Sequence, residues 1–252
     1  MELKLDMHIH SVRSPDGCMP LSSITARARA AGLNGVAICD HDLALEDAPV
    51  SPDFLIIPGI EVSTQYGHLL GLFVTKAVDT HDFFKAAEQI HVQGGLTVLA
   101  HPFEHSRDTE RLNALIPHLD GVEVWNSRAE RKISRANAMA EDFARKNGLR
   151  TFAGSDAHMP QEIGNGVMTV EAEALTLEAV RAALLRGTIR VSGRRSRAWY
   201  TAKSQLNKRR RTHARPLAYL KWCAFAAKCI IKDLITWFKN INKGHQGENI
   251  CR

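Results

Sequence analysis

The sequence predicts an α/β barrel followed by a basic helical tail, and three observations carry that reading. Short apolar runs alternate with longer helical patterns through the first 185 residues, the rhythm of repeated βα units. Several of the runs are continuously apolar, as strands buried on both faces are. Acidic residues nearly vanish after Glu178, so the chain changes character beyond the last unit.

Taken in order, strands are expected over 3–9, 35–39, 54–60, 68–74, 96–100, 121–125, 150–153 and 167–170. The Ala- and Arg-rich interval 21–31 reads as a helix closed by Gly32. Further helices over 82–93, 129–147 and 175–185 are followed by Gly94-Gly95, Gly148 and Gly187. The interval 193–215 has little apolar periodicity and much Arg and Lys, and reads as a linker or arm. An amphipathic helix follows over 217–241, so the chain divides into a barrel at 1–192 and a basic tail at 193–252.

With 252 residues the chain has room for one large α/β domain and an appendage. Its five cysteines form no CxxC spacing, which argues against a zinc ribbon, and their odd number argues against a disulfide framework. No internal repeat is evident, which argues against a solenoid. The N-terminus MELKLDMHIH lacks the pattern of a secretory signal, so a cytoplasmic location is expected. From Arg186 onward there are 17 Lys and Arg against two acids, Asp233 and Glu248, which leaves 16 basic and 25 acidic residues in 1–185. A body of −9 thus carries a tail of +15, the signature of a basic interaction arm on an acidic domain.

The histidines and carboxylates fall in a pattern: Asp6-Met-His8-Ile-His10, Asp16, Asp40-His41-Asp42, Glu61, His68, His101 and Asp156-Ala-His158. Nearly all lie at or just past the C-terminal end of an expected strand, and in a parallel barrel those ends converge on one face. His8 and His10 alternate along a strand, so their side chains share one side. Glu61 can bridge two cations, which an imidazole cannot, and paired ions about 3.5–4 Å apart are the working unit of many phosphatases. Each residue alone is unremarkable, but buried imidazoles and carboxylates gathered on one face need compensation, which a metal supplies. The histidines at 81, 91, 105, 118, 213 and 245 fall in helical or loop stretches and are read as structural, with His105 close enough to His101 to line the pocket.

The ordered set DMHIHS (Asp6–Ser11), SPDG (Ser14–Gly17), CDHD (Cys39–Asp42), PGIEVS (Pro58–Ser63), GHLLG (Gly67–Gly71), AHP (Ala100–Pro102), EVWN (Glu123–Asn126) and GSDAH (Gly154–His158) resembles the polymerase and histidinol phosphatase (PHP) family. The resemblance spans about residues 3–190. It implies a distorted (β/α)7 barrel with two or three divalent ions. His8, His10, Glu61 and Asp156 would hold the first; Glu61, His68 and His101 the second; and Asp16, His41 and His158 the third. Asp16 stands where some members carry a histidine, and resembles the small-nucleotide branch. The mixed N/O donors suit Mn²⁺, the preferred ion, with Zn²⁺ or Fe²⁺ as alternatives.

The implied reaction is hydrolysis of a phosphate ester by a metal-bridged hydroxide. A nucleotide or short oligonucleotide is the favoured substrate, with histidinol phosphate or a sugar phosphate as competitors. Asp42 is expected to orient His41, and Arg128 to clamp the phosphate through paired hydrogen bonds. A contrasting reading makes the tail the functional element, with Lys208-Arg209-Arg210-Arg211 contacting nucleic-acid phosphates and the barrel accessory. In 217–241, Lys221, Lys228, Lys232 and Lys239 fall near one line of the helix, opposite Tyr219, Cys223, Ala226, Ile230, Leu234, Trp237 and Ile241. That pattern disfavours a transmembrane helix and suits either an anionic membrane surface or docking on the barrel or a second subunit.

Overall fold

A computed structural model describes residues 1–131 and 133–247, with side chains up to residue 238, so Lys239 and Ile241 lie outside the described side chains. Nine strands form one sheet: β1 (Glu2–Ile9), β2 (Gly35–Ile38), β3 (Leu55–Thr64), β4 (Gly67–Leu72), β5 (Leu96–Leu99), β6 (Gly121–Asn126), β7 (Arg150–Gly154), β8 (Gly166–Glu171) and β9 (Ile189–Gly193). Their order is β7-β6-β5-β4-β3-β2-β1-β8-β9. All eight expected strands are present, and β9 is an addition at the point where the tail was expected to begin.

The sheet rolls until β7 returns to β1. The segment leaving β7 pairs with the end of β1, Asp156 N donating to His8 O at 2.8 Å and His10 N to Ala157 O at 2.9 Å. The carboxylate of Asp6 accepts from Ser155 N (2.8 Å) and Gly164 N (2.9 Å), which secures the same seam. Closure depends on Gly154, because a Cβ there would lie 2.2 Å from His8 Cβ. Gly154→Ala should therefore destabilise the protein by about 1–3 kcal/mol, as overpacking does, and tilt His8; thermal denaturation with and without Mn²⁺ would show both effects.

The barrel is mixed rather than parallel throughout. β1, β2 and β3 run parallel, as do β5, β6 and β7, but β4 is antiparallel to both its neighbours, and β8 is antiparallel to β1 and β9. β3 and β4 are joined by a tight turn at Gln65 and Tyr66, and a hairpin this short can only reverse direction. The start of β4 consequently lies on the rim where the parallel strands end.

Helices α1 (Leu21–Ala30), α2 (Phe83–Val92), α3 (Ala136–Lys146) and α4 (Leu177–Arg186) cover the sheet. In α2, Phe83, Ala86, Ala87 and Ile90 are buried at helical spacing, and Asp82 caps the first turn by accepting from Lys85 N. The helix expected over 129–147 is shorter: Arg135 sits at φ 65°, outside helical space, and α3 starts after it.

The interval expected as a linker is also helical. α5 (Ala198–Arg211) packs on α6 (Pro216–Gly247), and no residue of its own caps it. The cap comes from α6, where Asp233 accepts from Ala198 N (2.8 Å) and Trp199 N (3.0 Å). A carboxylate at a helix start is favoured by both hydrogen bonding and the helix dipole. The pair rests against the barrel: Arg211 Nη1 donates to Val12 O (2.5 Å) and Ser14 O (2.7 Å), and Lys232 Nζ to Arg131 O (3.0 Å). No described helix is long and apolar enough to cross a membrane.

Candidate metal centre

β1 delivers His8 and His10 to one rim of the barrel, both fully buried. The chain beyond β2 runs beside β3, with Asp42 N donating to Glu61 O (2.9 Å) and Glu61 N to Asp40 O (3.1 Å), which seats His41 against Glu61. His68 arrives from the start of the antiparallel β4, directly across from Ser63. His101 follows β5, and Asp156 and His158 follow β7. Three of these loops turn through left-handed backbone, at Asp42 (φ 55°), His101 (φ 27°) and Asp156 (φ 53°). Non-glycine residues seldom adopt it, and it gathers where a site imposes it.

Glu61 is the centre of the arrangement. Its Oε1 lies 2.8 Å from His68 Nδ1, 3.1 Å from His101 Nε2 and 3.5 Å from His8 Nε2. Its Oε2 lies 2.8 Å from His41 Nδ1 and 3.3 Å from His10 Nε2. Asp156 Oδ1 stands 3.3 Å from His10 Nε2, 3.4 Å from His158 Nδ1 and 3.9 Å from His8 Nε2. Asp16 Oδ1 stands 3.4 Å from His158 Nε2 and 3.6 Å from His41 Nε2. All nine expected metal-site residues therefore meet in one cluster.

The grouping of donors differs in detail from the expected partition. Three sets have ligand atoms within 4.8 Å of one another: His8, His10 and Asp156; His41, Glu61 and His68; and His10, His41 and His158. His41 thus faces both Glu61 and the Asp16 side, joining two groups that were expected to be separate.

Electrostatics give the cluster its meaning. Burial works against charge on Glu61, yet His68, His41 and His8 hold its carboxyl well below the usual range. Burial likewise opposes ionisation of Asp156, which His8, His10 and His158 nonetheless hold well below it. His10 moves the other way: burial and the neighbouring His158 and His41 push it well below an ordinary imidazole. Against burial, the carboxylates raise His41 and His101 to about 9 and His8 well above an ordinary imidazole, so binding of a divalent cation would displace protons from these rings. Glu61 Oε2 and Asp16 Oδ1 are also buried without a hydrogen-bond donor. Buried acceptors of this kind are costly unless something positive serves them, and the N/O donor set fits divalent cations.

Supporting groups fix the rings. Glu123 Oε1 lies 3.0 Å from His8 Nδ1, while its Oε2 accepts from His101 N and Asn126 Nδ2, each at 2.9 Å. One buried carboxylate thus orients His8 and the turn that carries His101. It belongs to the EVWN stretch, and its alternation with Val122 and Val124 on β6 was the available signal. Ser14 Oγ links His10 Nδ1 (3.1 Å) to Asp40 Oδ1 (2.7 Å), so Asp40 supports His10 from behind. Glu123→Gln should lower activity about 10–100-fold, the usual effect of losing a partner that orients a ligand histidine. Steady-state kinetics beside metal analysis would check it.

Two sequence expectations are corrected. The Asp42 carboxylate takes its hydrogen bonds from β3 and not from the His41 ring: it accepts from Ser63 N (2.7 Å) and Ser63 Oγ (3.0 Å), at a residue whose backbone is left-handed. Arg128 is no open phosphate clamp. Its Nε and Nη2 donate to Glu162 at 2.8 and 2.5 Å and its Nη1 to Ser204 Oγ at 3.3 Å, so its fork is already filled.

The chain is similar to known proteins in sequence and in fold. A family model described as PHP-associated, PHP_C, matches residues 134–189. An uncharacterised protein of Methanocaldococcus jannaschii is 32% identical over 171 residues, covering 65% of this chain and 68% of its own length. The chain belongs to the PHP family. A 5'-3' exoribonuclease of Haemophilus influenzae shares 35% identity with this PHP chain over 81 residues, 29% of each protein. Among solved structures, a two-domain protein of Bacteroides vulgatus containing a predicted PHP-like metal-dependent phosphoesterase superposes with TM-score 0.61 at 20% identity, over 82% of this chain and 70% of that one. Endonuclease Q bound to a 27-mer duplex with an abasic lesion superposes with TM-score 0.57 at 18% identity, over 78% and 61%. These two likenesses show a shared fold.

Proposed function

We propose that this PHP protein hydrolyses a phosphate ester of a nucleotide or of a short oligonucleotide, using two or three divalent ions held by His8, His10, Asp16, His41, Glu61, His68, His101, Asp156 and His158. The observation that carries the reading is Glu61, a fully buried carboxylate with five imidazoles within 3.5 Å of its two oxygens. Bound ions would supply the Lewis acidity that activates water and offsets negative charge on the phosphoryl oxygens. Glu61 and Asp156 provide the negative charge that holds them, and Glu123 and Asp40 keep the imidazoles turned toward the cluster.

The nucleic-acid direction draws support from the likeness to the Haemophilus exoribonuclease and from the place of α5. Arg211, at the basic end of α5, is bound to the loop that carries Asp16, which brings one arginine of that run beside a residue of the cluster. Phosphates beyond the scissile one would meet positive charge there. In this reading the tail extends the substrate path, and a role as a separate nucleic-acid-binding element is secondary.

The test is an assay of metal-stripped protein on nucleoside monophosphates, short oligonucleotides, sugar phosphates and histidinol phosphate, with Mn²⁺, Zn²⁺ or Fe²⁺ restored. Turnover of nucleotides or oligonucleotides, with an oligonucleotide KM that rises with salt, is the expected result. Turnover confined to histidinol phosphate or a sugar phosphate would overturn the substrate assignment. No turnover with metal bound would overturn the catalytic role of the cluster.

A further inference from the structure

The described part of α6 has two apolar faces, and the structure occupies only one. Trp222, Phe225, Ala226 and Cys229 turn toward α5, with Ala226 and Cys229 buried, and Trp222 Nε1 donates to Ala202 O at 2.7 Å. Leu217, Leu220, Ile231, Leu234, Ile235 and Phe238 recur at helical spacing on another face, each 50 to 68% exposed. Trp237 is also exposed and stands edge-on to Phe238, ring centroids 4.9 Å apart. A continuous exposed stripe of this size marks a surface that binds something.

Charge identifies the occupant. Between Pro216 and Phe238 the only acid is Asp233, and it is turned inward to cap α5. Lys221 and Lys228 border the apolar stripe on one side, at roughly 20–40° from its edge on a wheel of about 100° per residue. Neighbouring α5 carries Lys203, Lys208, Arg209, Arg210 and Arg211 and no acid at all. Pairing this face with the same face of a second copy would place like charges together, with Asp233 committed to α5 and no other acid between Pro216 and Phe238 to offset them, at a cost. The helix cannot cross a bilayer.

We propose that α6 docks on an anionic membrane surface, lying flat with Leu217, Leu220, Ile231, Leu234, Ile235 and Phe238 in the interfacial layer and Lys221 and Lys228 among the head groups. Aromatic and aliphatic side chains on one face with lysines beside them are the composition that layer selects, and long lysine stems allow the charge to reach the head groups while the stem stays on apolar ground. The docking stands independently of the substrate, because none of its residues belongs to the metal cluster.

The experiment is co-sedimentation of the full chain with vesicles of phosphatidylglycerol and phosphatidylcholine in roughly equal parts, against vesicles of phosphatidylcholine alone. Preferential binding to the anionic vesicles is expected, weakening as salt screens the lysines. Ile231→Glu/Ile235→Glu should lower that binding on the order of 100-fold, through loss of two inserted side chains, and Lys221→Gln or Lys228→Gln about fivefold each. Both isoleucines are exposed, so the double variant should keep its Tm within about 2 °C and its vesicle-free phosphoesterase activity. Absence of wild-type binding, equal binding to both vesicles, or undiminished binding of the double variant would overturn the proposal. So would a wild-type dimer that the double variant dissociates, which would make a second copy the occupant.

Discussion

Glu61→Gln should reduce phosphoesterase activity by more than about 100-fold, beyond the usual effect of losing an outer partner of a ligand, while the protein stays folded. The change is nearly isosteric, so the barrel has no cavity to accommodate. It removes the one buried charge that faces His8, His10, His41, His68 and His101 together. An amide nitrogen in place of either oxygen would also point a donor at imidazoles whose lone pairs must face a cation. Bound metal should therefore fall by at least one equivalent, readable by elemental analysis of the dialysed protein. Full metal content with lost activity would instead place Glu61 in the chemistry alone, and unchanged activity would remove it from the centre of the site.

Glu162→Ala is expected to have the largest effect on stability. Glu162 is fully buried, accepts two hydrogen bonds from the buried Arg128, and receives His158 N and Met159 N at 3.1 Å each. Ser196 Oγ, from the segment leading into α5, donates to it as well. Truncation would leave a guanidinium without its counter-charge in a site closed to water, a situation that costs about 3–5 kcal/mol. For a chain of this size the expected fall in Tm is about 6–20 °C. Replacing both members, as Arg128→Met/Glu162→Met, should recover much of the loss, since the penalty belongs to the unpaired charge. The backbone of His158 would still lack its acceptor in the double variant, so weakened metal binding should persist after stability returns. Recovery of both together would show that Glu162 serves the fold and leaves the cluster untouched.

The metal cluster was the most legible part of the molecule. A strand end, a turn and a His or carboxylate are local patterns, and the barrel brings such ends to one rim whatever the details of its helices. His8 and His10 are on one side because strand side chains alternate, and this follows from spacing alone. The burial pattern of α2 and the glycines closing α1 and α3 were legible for the same reason, since each depends on neighbours within a few residues. Glu123 was missed as a supporting group because its role depends on rings carried by β1 and by the turn after β5, more than 20 residues away.

Local spacing was thus enough for the αβ alternation, the eight strands, the gathering of histidines and carboxylates at strand ends and the charge contrast between body and tail, while the choice of nine side chains among them came from the resemblance to the PHP family. It could not reveal that β4 runs antiparallel, that Arg128 is committed to Glu162, or that a segment rich in Arg and Lys is a helix. Each of these depends on a partner far along the chain: Glu162 lies 34 residues from Arg128, and Asp233 lies 35 from the Ala198 amide that it caps. An arginine reads identically in sequence whether it faces solvent, a phosphate or a buried glutamate. The partner that satisfies it is chosen when the chain closes, because a buried charge or an uncapped helix end is too costly to leave without one.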